Sequence, residues 1–88
     1  MSDLHLVLTF YWFDEIAIGN KTIEYRENKE FWRKRILEKD YDRVIFHRGY
    51  TSEIIIADMD SVDLGECPYE DWDDTYIRIH FSNVKGGK

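Results

Sequence analysis

At Gly19 the apolar residues of this 88-residue chain change from helical to strand spacing, and that change restricts how the chain can run on either side of it. Before the glycine, Trp12, Phe13, Ile16 and Ala17 fall on one side of a helix. From Lys21 onward the pattern alternates, with Ile23 and Tyr25 facing one way and Thr22, Glu24 and Arg26 the other. Glycine at such a junction takes positive φ without a Cβ clash, so Gly19 reads as the helix C-cap. Lys21 then stands at the corner between helix and strand, with a carboxylate and a guanidinium along one strand face.

The remaining elements follow from similar signals. Leu4 to Phe10 alternates, with Leu4, Leu6, Leu8 and Phe10 opposite His5, Val7 and Thr9, which predicts a half-buried strand. Thr9 is placed to cap a helix over about Phe10–Ile18, on which Trp12 and Phe13 read as core. Asn28 is a candidate N-cap for a second helix reaching about Glu38. Its inner side holds Phe31, Trp32, Arg35 and Ile36, and Arg33, Lys34 and Lys39 make its outer side basic. Arg43–Arg48 is a strand with Val44 and Phe46 inward and Arg48 on the same face at its end, followed by a turn at Gly49 and the ring of Tyr50. Glu53–Val62 is a strand expected to bury Ile54, Ile55 and Ile56 on both faces, and Asp63–Thr75 an acidic loop. Tyr76–Phe81 is a last alternating strand, and the tail from Lys85 is expected to fray. The order β-α-β-α-β-β-β predicts an α+β fold, a small mixed β-barrel of about five strands with two helices. It forms a single domain over 1–88 with an ordered core over about 4–82.

Charge divides the chain unevenly. The formal net charge is −6, which argues against a general nucleic-acid binder. Yet residues 19–50 carry nine Lys/Arg against six Asp/Glu, and the rest carries three against twelve. One basic cleft on an acidic body would give this asymmetry, and so would one acidic loop. No apolar run has the length of a membrane span, and the N-terminus lacks the basic and apolar regions of a secretory leader. The single Cys67, beside Pro68, cannot form an internal disulfide and fits a reducing cytoplasm as a loop thiol. His5, His47 and His80 have no partner at metal-ligand spacing, and the eight acids from Asp58 to Asp74 lack the calcium-loop pattern, so neither a metal nor another cofactor is expected.

Gly19, Lys21, Glu24 and Arg26 together match G-x-K-x-x-E-x-R, and on this motif the chain resembles the ASCH domain (activating signal cointegrator homology), a branch of the PUA-like superfamily. The flanks agree: an apolar strand and aromatic helix before the motif, and after it a helix leading to a strand that ends Arg48-Gly49-Tyr50. The resemblance spans roughly residues 4–62. It implies a PUA-like barrel and a cleft for RNA or a modified nucleoside, lined by Lys21, Thr22, Glu24, Arg26, Arg48 and Tyr50. An alternative is a small hydrolase, either a ribonuclease or a nucleoside amidohydrolase, with Lys21 and Glu24 as catalytic pair. The amidohydrolase branch has Thr three residues after its Lys, where this chain has Glu24. A third reading is a protein-interaction module acting through the acidic stretch 58–74.

Overall fold

The two edge strands of the sheet are consecutive in sequence, and the first helix spans the gap between them. In this computed structural model, which describes residues 2–68 and 75–86, five strands hydrogen-bond in the order β1-β3-β4-β5-β2. They are β1 (Asp3–Leu8), β2 (Ile23–Glu27), β3 (Arg43–Arg48), β4 (Ile54–Gly65) and β5 (Tyr76–Gly86). β1 pairs with β3 in parallel, and the other neighbours are antiparallel. Helix α1 (Phe10–Ala17) links β1 to β2. Helix α2 begins as a short α-turn (Glu30–Trp32) and continues as a π-helical segment (Arg33–Leu37). The fold is α+β, a mixed half-barrel with two helices in the predicted order.

Leu4, Leu6 and Leu8 of β1 point inward and meet Val44 and Phe46 of β3, Ile77 and Ile79 of β5, and Phe13 and Ile16 of α1. Alternation on β1 therefore reports the buried face directly. Phe10 does not continue that face. It opens α1, is half exposed, and lies beneath the Arg48 guanidinium at 4.2 Å. Two carbonyls on the open edge of β1 are covered by arginine: His5 O accepts from Arg35 Nη2 at 3.2 Å, and Val7 O from Arg26 Nη2 at 3.2 Å. With those acceptors occupied, the edge is a poorer template for another strand.

Several expectations are corrected. Thr9 is the N-cap residue of α1, but its hydroxyl makes no capping bond. Lys29, not Asn28, precedes α2. Asn28 instead accepts from Arg33 through both its backbone and side-chain oxygens. The second helix widens to π spacing from Arg33 onward, and of its expected inner residues Ile36 is buried while Phe31 is exposed. Of the isoleucines on β4, Ile55 is fully buried and Ile54 exposed. β4 runs on to Gly65, so Asp63, read as the start of a loop, joins Asp58 and Asp60 on the strand, and each is bonded to a β5 side chain: Arg78, Asn83 and Ser82 respectively. β5 extends to Gly86, with Lys85 and Gly86 opposite Ile56 and Ile55, so these two are paired where fraying was expected; residues 87 and 88 lie outside the described residues. The rest of the expected loop, residues 69–74, lies outside the described residues. No helix among those described is long and apolar enough to cross a membrane.

Candidate ligand pocket at the barrel seam

Helix α1 ends in two hydrogen bonds characteristic of a Schellman turn. Gly19 N–H donates to Ile16 O at 3.1 Å, and Asn20 N–H donates to Glu15 O at 3.0 Å, with Gly19 at φ +88°. Gly19 thus ends the helix with positive φ as expected, one residue after the C-cap position at Ile18. Lys21 N–H donates to the same Glu15 carbonyl at 3.1 Å, which fixes the lysine against the helix end. From there its side chain turns inward. Its Nζ lies 4.2 Å from the Trp12 ring centroid and 2.6 Å from Glu24 Oε1.

The face of β2 that carries Glu24 and Arg26 is the interior one. Register decides this: Glu24 stands opposite Ile79 and Arg26 opposite Ile77, both fully buried on β5. Glu24 and Lys21 are accordingly the buried charged residues among those described, at 2% and 6% exposure. Burying a carboxylate is costly unless cations and hydrogen bonds compensate it. Here Lys21 takes one oxygen, and Arg26 Nη2 stands 3.2 Å from the other. Arg26 is itself held by the Val7 carbonyl and by the Trp32 face, 5.1 Å from the ring centroid.

These groups line a cavity of about 200 Å³ at the seam between β1 and β2. Val7, Leu8 and Thr9 form one wall and Glu24, Tyr25 and Arg26 the other. Trp12, Lys21 and Cys67 complete the lining. The size suits a single planar ring system such as a nucleobase, and the lining has the mixture usual in ligand sites, aromatic surface with a few fixed polar groups. Trp12, expected in the core beside Phe13, forms part of this wall while Phe13 is fully buried.

Lys21, Glu24 and Arg26 come together as expected; the other predicted site residues do not line this cavity. Thr22 borders a separate groove with Gly19, Phe81 and Asn83, which Lys21 also touches. Arg48 is committed elsewhere. Its Nε and Nη2 donate to the two Asp14 oxygens at 3.0 and 3.1 Å, and its Nη1 donates to Glu53 at 3.3 Å. The guanidinium hydrogen bond holds the Asp14 carboxyl below its ordinary range and raises Arg48 in turn. Tyr50 is almost wholly exposed. The inward face of β3 does carry Arg48, as read, but α1 supplies Asp14 and Phe10 to hold it there.

Three participants gave no local sequence signal: the Val7 carbonyl, Trp12 as a wall, and Cys67. The thiol lies in a loop, as expected, but is buried, and it reaches the cavity through the fold of the segment after β4. The histidines also differ from expectation, since His5 Nδ1 and His47 Nε2 lie 2.9 Å apart across β1 and β3. Among the described residues no three His, Cys, Asp or Glu side chains are grouped to hold a metal. No protein-family model, curated protein or solved structure matches the chain.

Proposed function

We propose that this chain is an ASCH-type, PUA-like binding domain that accepts one base of an RNA, or a free modified nucleoside, in the Lys21–Glu24–Arg26 pocket. The observation that carries this reading is the buried Lys21–Glu24 pair at 2.6 Å lining a cavity of nucleobase size beside the Trp12 ring. A pair so costly to desolvate marks a site where fixed charge serves recognition. Trp12 and Tyr25 offer aromatic surface, and base–aromatic stacking contributes about 1–3 kcal/mol per base. The G-x-K-x-x-E-x-R motif supports the same reading, and the free Cys67 suits a cytoplasmic setting.

The hydrolase alternative has weaker support. Both Glu24 oxygens face cations, so proton transfer by this carboxylate requires breaking a buried pair. The acidic-stretch alternative also loses ground, since Asp58, Asp60 and Asp63 are bonded across the sheet.

The test is fluorescence anisotropy of short single-stranded RNAs across a salt series, with free nucleosides as competitors. On a chain of net charge −6 the acidic body repels phosphates, so contacts are few. The log–log salt slope should correspond to only about one to three counterions. Lys21→Ala should weaken binding to all sequences. Identical binding by wild type and Lys21→Ala, or by neither, contradicts the proposal.

A further inference from the structure

We infer that the pocket lies on a track for single-stranded RNA. The exposed rings of Tyr11 and Phe31 stack the bases on either side of the one it holds, and Arg35 meets the backbone along the edge of β1. The inference rests on the RNA reading above and chooses the strand over the free nucleoside.

The first observation is a pair of rings at each end of the Lys21–Arg26 segment. At one end Lys21 lies over Trp12, whose ring meets that of Tyr11 edge to face at 4.8 Å. At the other, Arg26 lies over Trp32, whose ring meets that of Phe31 edge to face at 4.9 Å. Both tryptophans are partly buried against the core, whereas Tyr11 and Phe31 are each 62% exposed. Trp12 and Arg26 line the cavity, so an exposed ring stands next to each of them, one on α1 and one on α2. A lone exposed aromatic residue is ordinary. Two that flank one cavity, each backed by a second ring, exceed what a single nucleoside can use, and aromatic faces accept any base.

The second observation is charge. Arg26 and Arg35 donate to Val7 O and His5 O, alternate residues on the open edge of β1 and so roughly 6–7 Å apart. Among the described residues, the hydrogen-bond partners of Arg35 and Arg33 are uncharged oxygens: His5 O for the first, the Asn28 backbone and side chain for the second. Lys29 and Lys34 beside them face Glu27 and Glu30 instead. Positive charge therefore persists along the seam where the rings are exposed, although the chain as a whole is acidic. Phosphates on such an edge and bases on the rings is how proteins hold single strands.

The test compares fluorescein-labelled hexauridylate and hexaadenylate, followed by anisotropy, with an RNA hairpin stem and with free uridine and adenosine titrated by calorimetry. The hexanucleotides should bind on the order of tenfold more tightly than the nucleosides or the stem. Tyr11→Leu and Phe31→Leu keep an apolar side chain and remove the ring. Each should lower hexanucleotide affinity about tenfold, reducing its advantage over the nucleosides. Arg35→Gln, which keeps a donor for His5 O, should lower the log–log salt slope by about one. Nucleosides binding as tightly as the hexanucleotides, or hexanucleotide affinity unchanged in either leucine variant, overturns the inference and leaves the pocket reading standing. So does self-association of the wild-type chain in sedimentation that the leucine variants abolish, since the rings then serve a contact between copies. Indifference of the hexanucleotides to Lys21→Ala, or failure of every ligand to bind, overturns both.

Discussion

Two charge clusters on the same sheet use similar residues in opposite surroundings. Lys21, Glu24 and Arg26 lie inside the half-barrel, whereas Asp63, Arg78 and His80 lie on its outer face. They are near neighbours through β5: Ile79 backs Glu24 on the inside, and the adjoining Arg78 stands opposite both Tyr25 and Asp63 on the outside. The outer carboxylate is about half exposed and accepts from Arg78 at 2.8 and 3.0 Å, with His80 at 3.2 Å. Water screens that group, so it can be rearranged at little cost. The inner carboxylate has no such relief, since losing a cation leaves a charge where water does not reach. Similar chemistry is therefore a screened surface balance on one side of the sheet and a buried, unscreened charge cluster on the other.

The largest break in this contrast is Glu24→Ala. It strands Lys21 without its carboxylate, and the urea midpoint should report a loss of about 3–5 kcal/mol. Asp63→Ala should leave the midpoint near neutral pH almost unchanged. Equal losses from the two would remove the distinction.

A smaller effect is expected where the backbone places the inner cluster. Gly19→Ala meets no atom within 4 Å, so its cost is conformational alone, from φ +88°. A loss of about 1 kcal/mol should follow, again by urea midpoint. An unchanged midpoint would mean that Lys21 is not held by this turn. The corresponding outer glycine behaves differently. A Cβ at Gly65 would lie 2.4 Å from the Arg78 guanidinium carbon, but that side chain can swing away, so Gly65→Ala should shift the arginine and barely alter stability.

The smallest effect is in acid. The Arg78 hydrogen bond, with His80 adding to it, holds the Asp63 carboxyl at about 2 against its ordinary 3.8. A depressed carboxylate stabilises the fold fully above its unfolded value and loses that contribution as pH falls toward the folded one. Urea midpoints should therefore decline between about pH 4 and pH 2 more steeply in wild type than in Asp63→Asn, while above about pH 5 the two profiles run parallel, separated by the small contribution of this screened pair. Profiles parallel throughout would show that the outer pair is not formed in solution.

The element order and the Gly19 turn were legible because each depends on local pattern. β1 carries leucine on one face only, and a glycine between a helical and an alternating run has few conformations to satisfy. The interior side of β2 was not legible. Ile23 and Tyr25 on one face are as apolar as a core strand requires, and only the pairing of Glu24 with Ile79 shows that the charged face is buried. Arg48 misled for a related reason. Its face was read correctly, but Asp14, 34 residues earlier in the chain, decides where its guanidinium goes. Cys67 and the Val7 carbonyl enter the site through tertiary contacts that no spacing rule encodes. The full length of β5 was hidden because Ser82 to Lys85 lacks apolar alternation and pairs through backbone and polar contacts with β4.

The central claim is that the buried Lys21–Glu24 pair serves recognition rather than stability, and the urea midpoint of the double variant Lys21→Met/Glu24→Leu tests it most directly. Replacing a buried ion pair by apolar side chains of similar volume is often neutral or stabilising, because two desolvated charges are removed together. The account predicts a midpoint at or above that of wild type, in contrast to Glu24→Ala. A midpoint lowered as far as that of Glu24→Ala would contradict it, and would make the pair a structural requirement of the barrel.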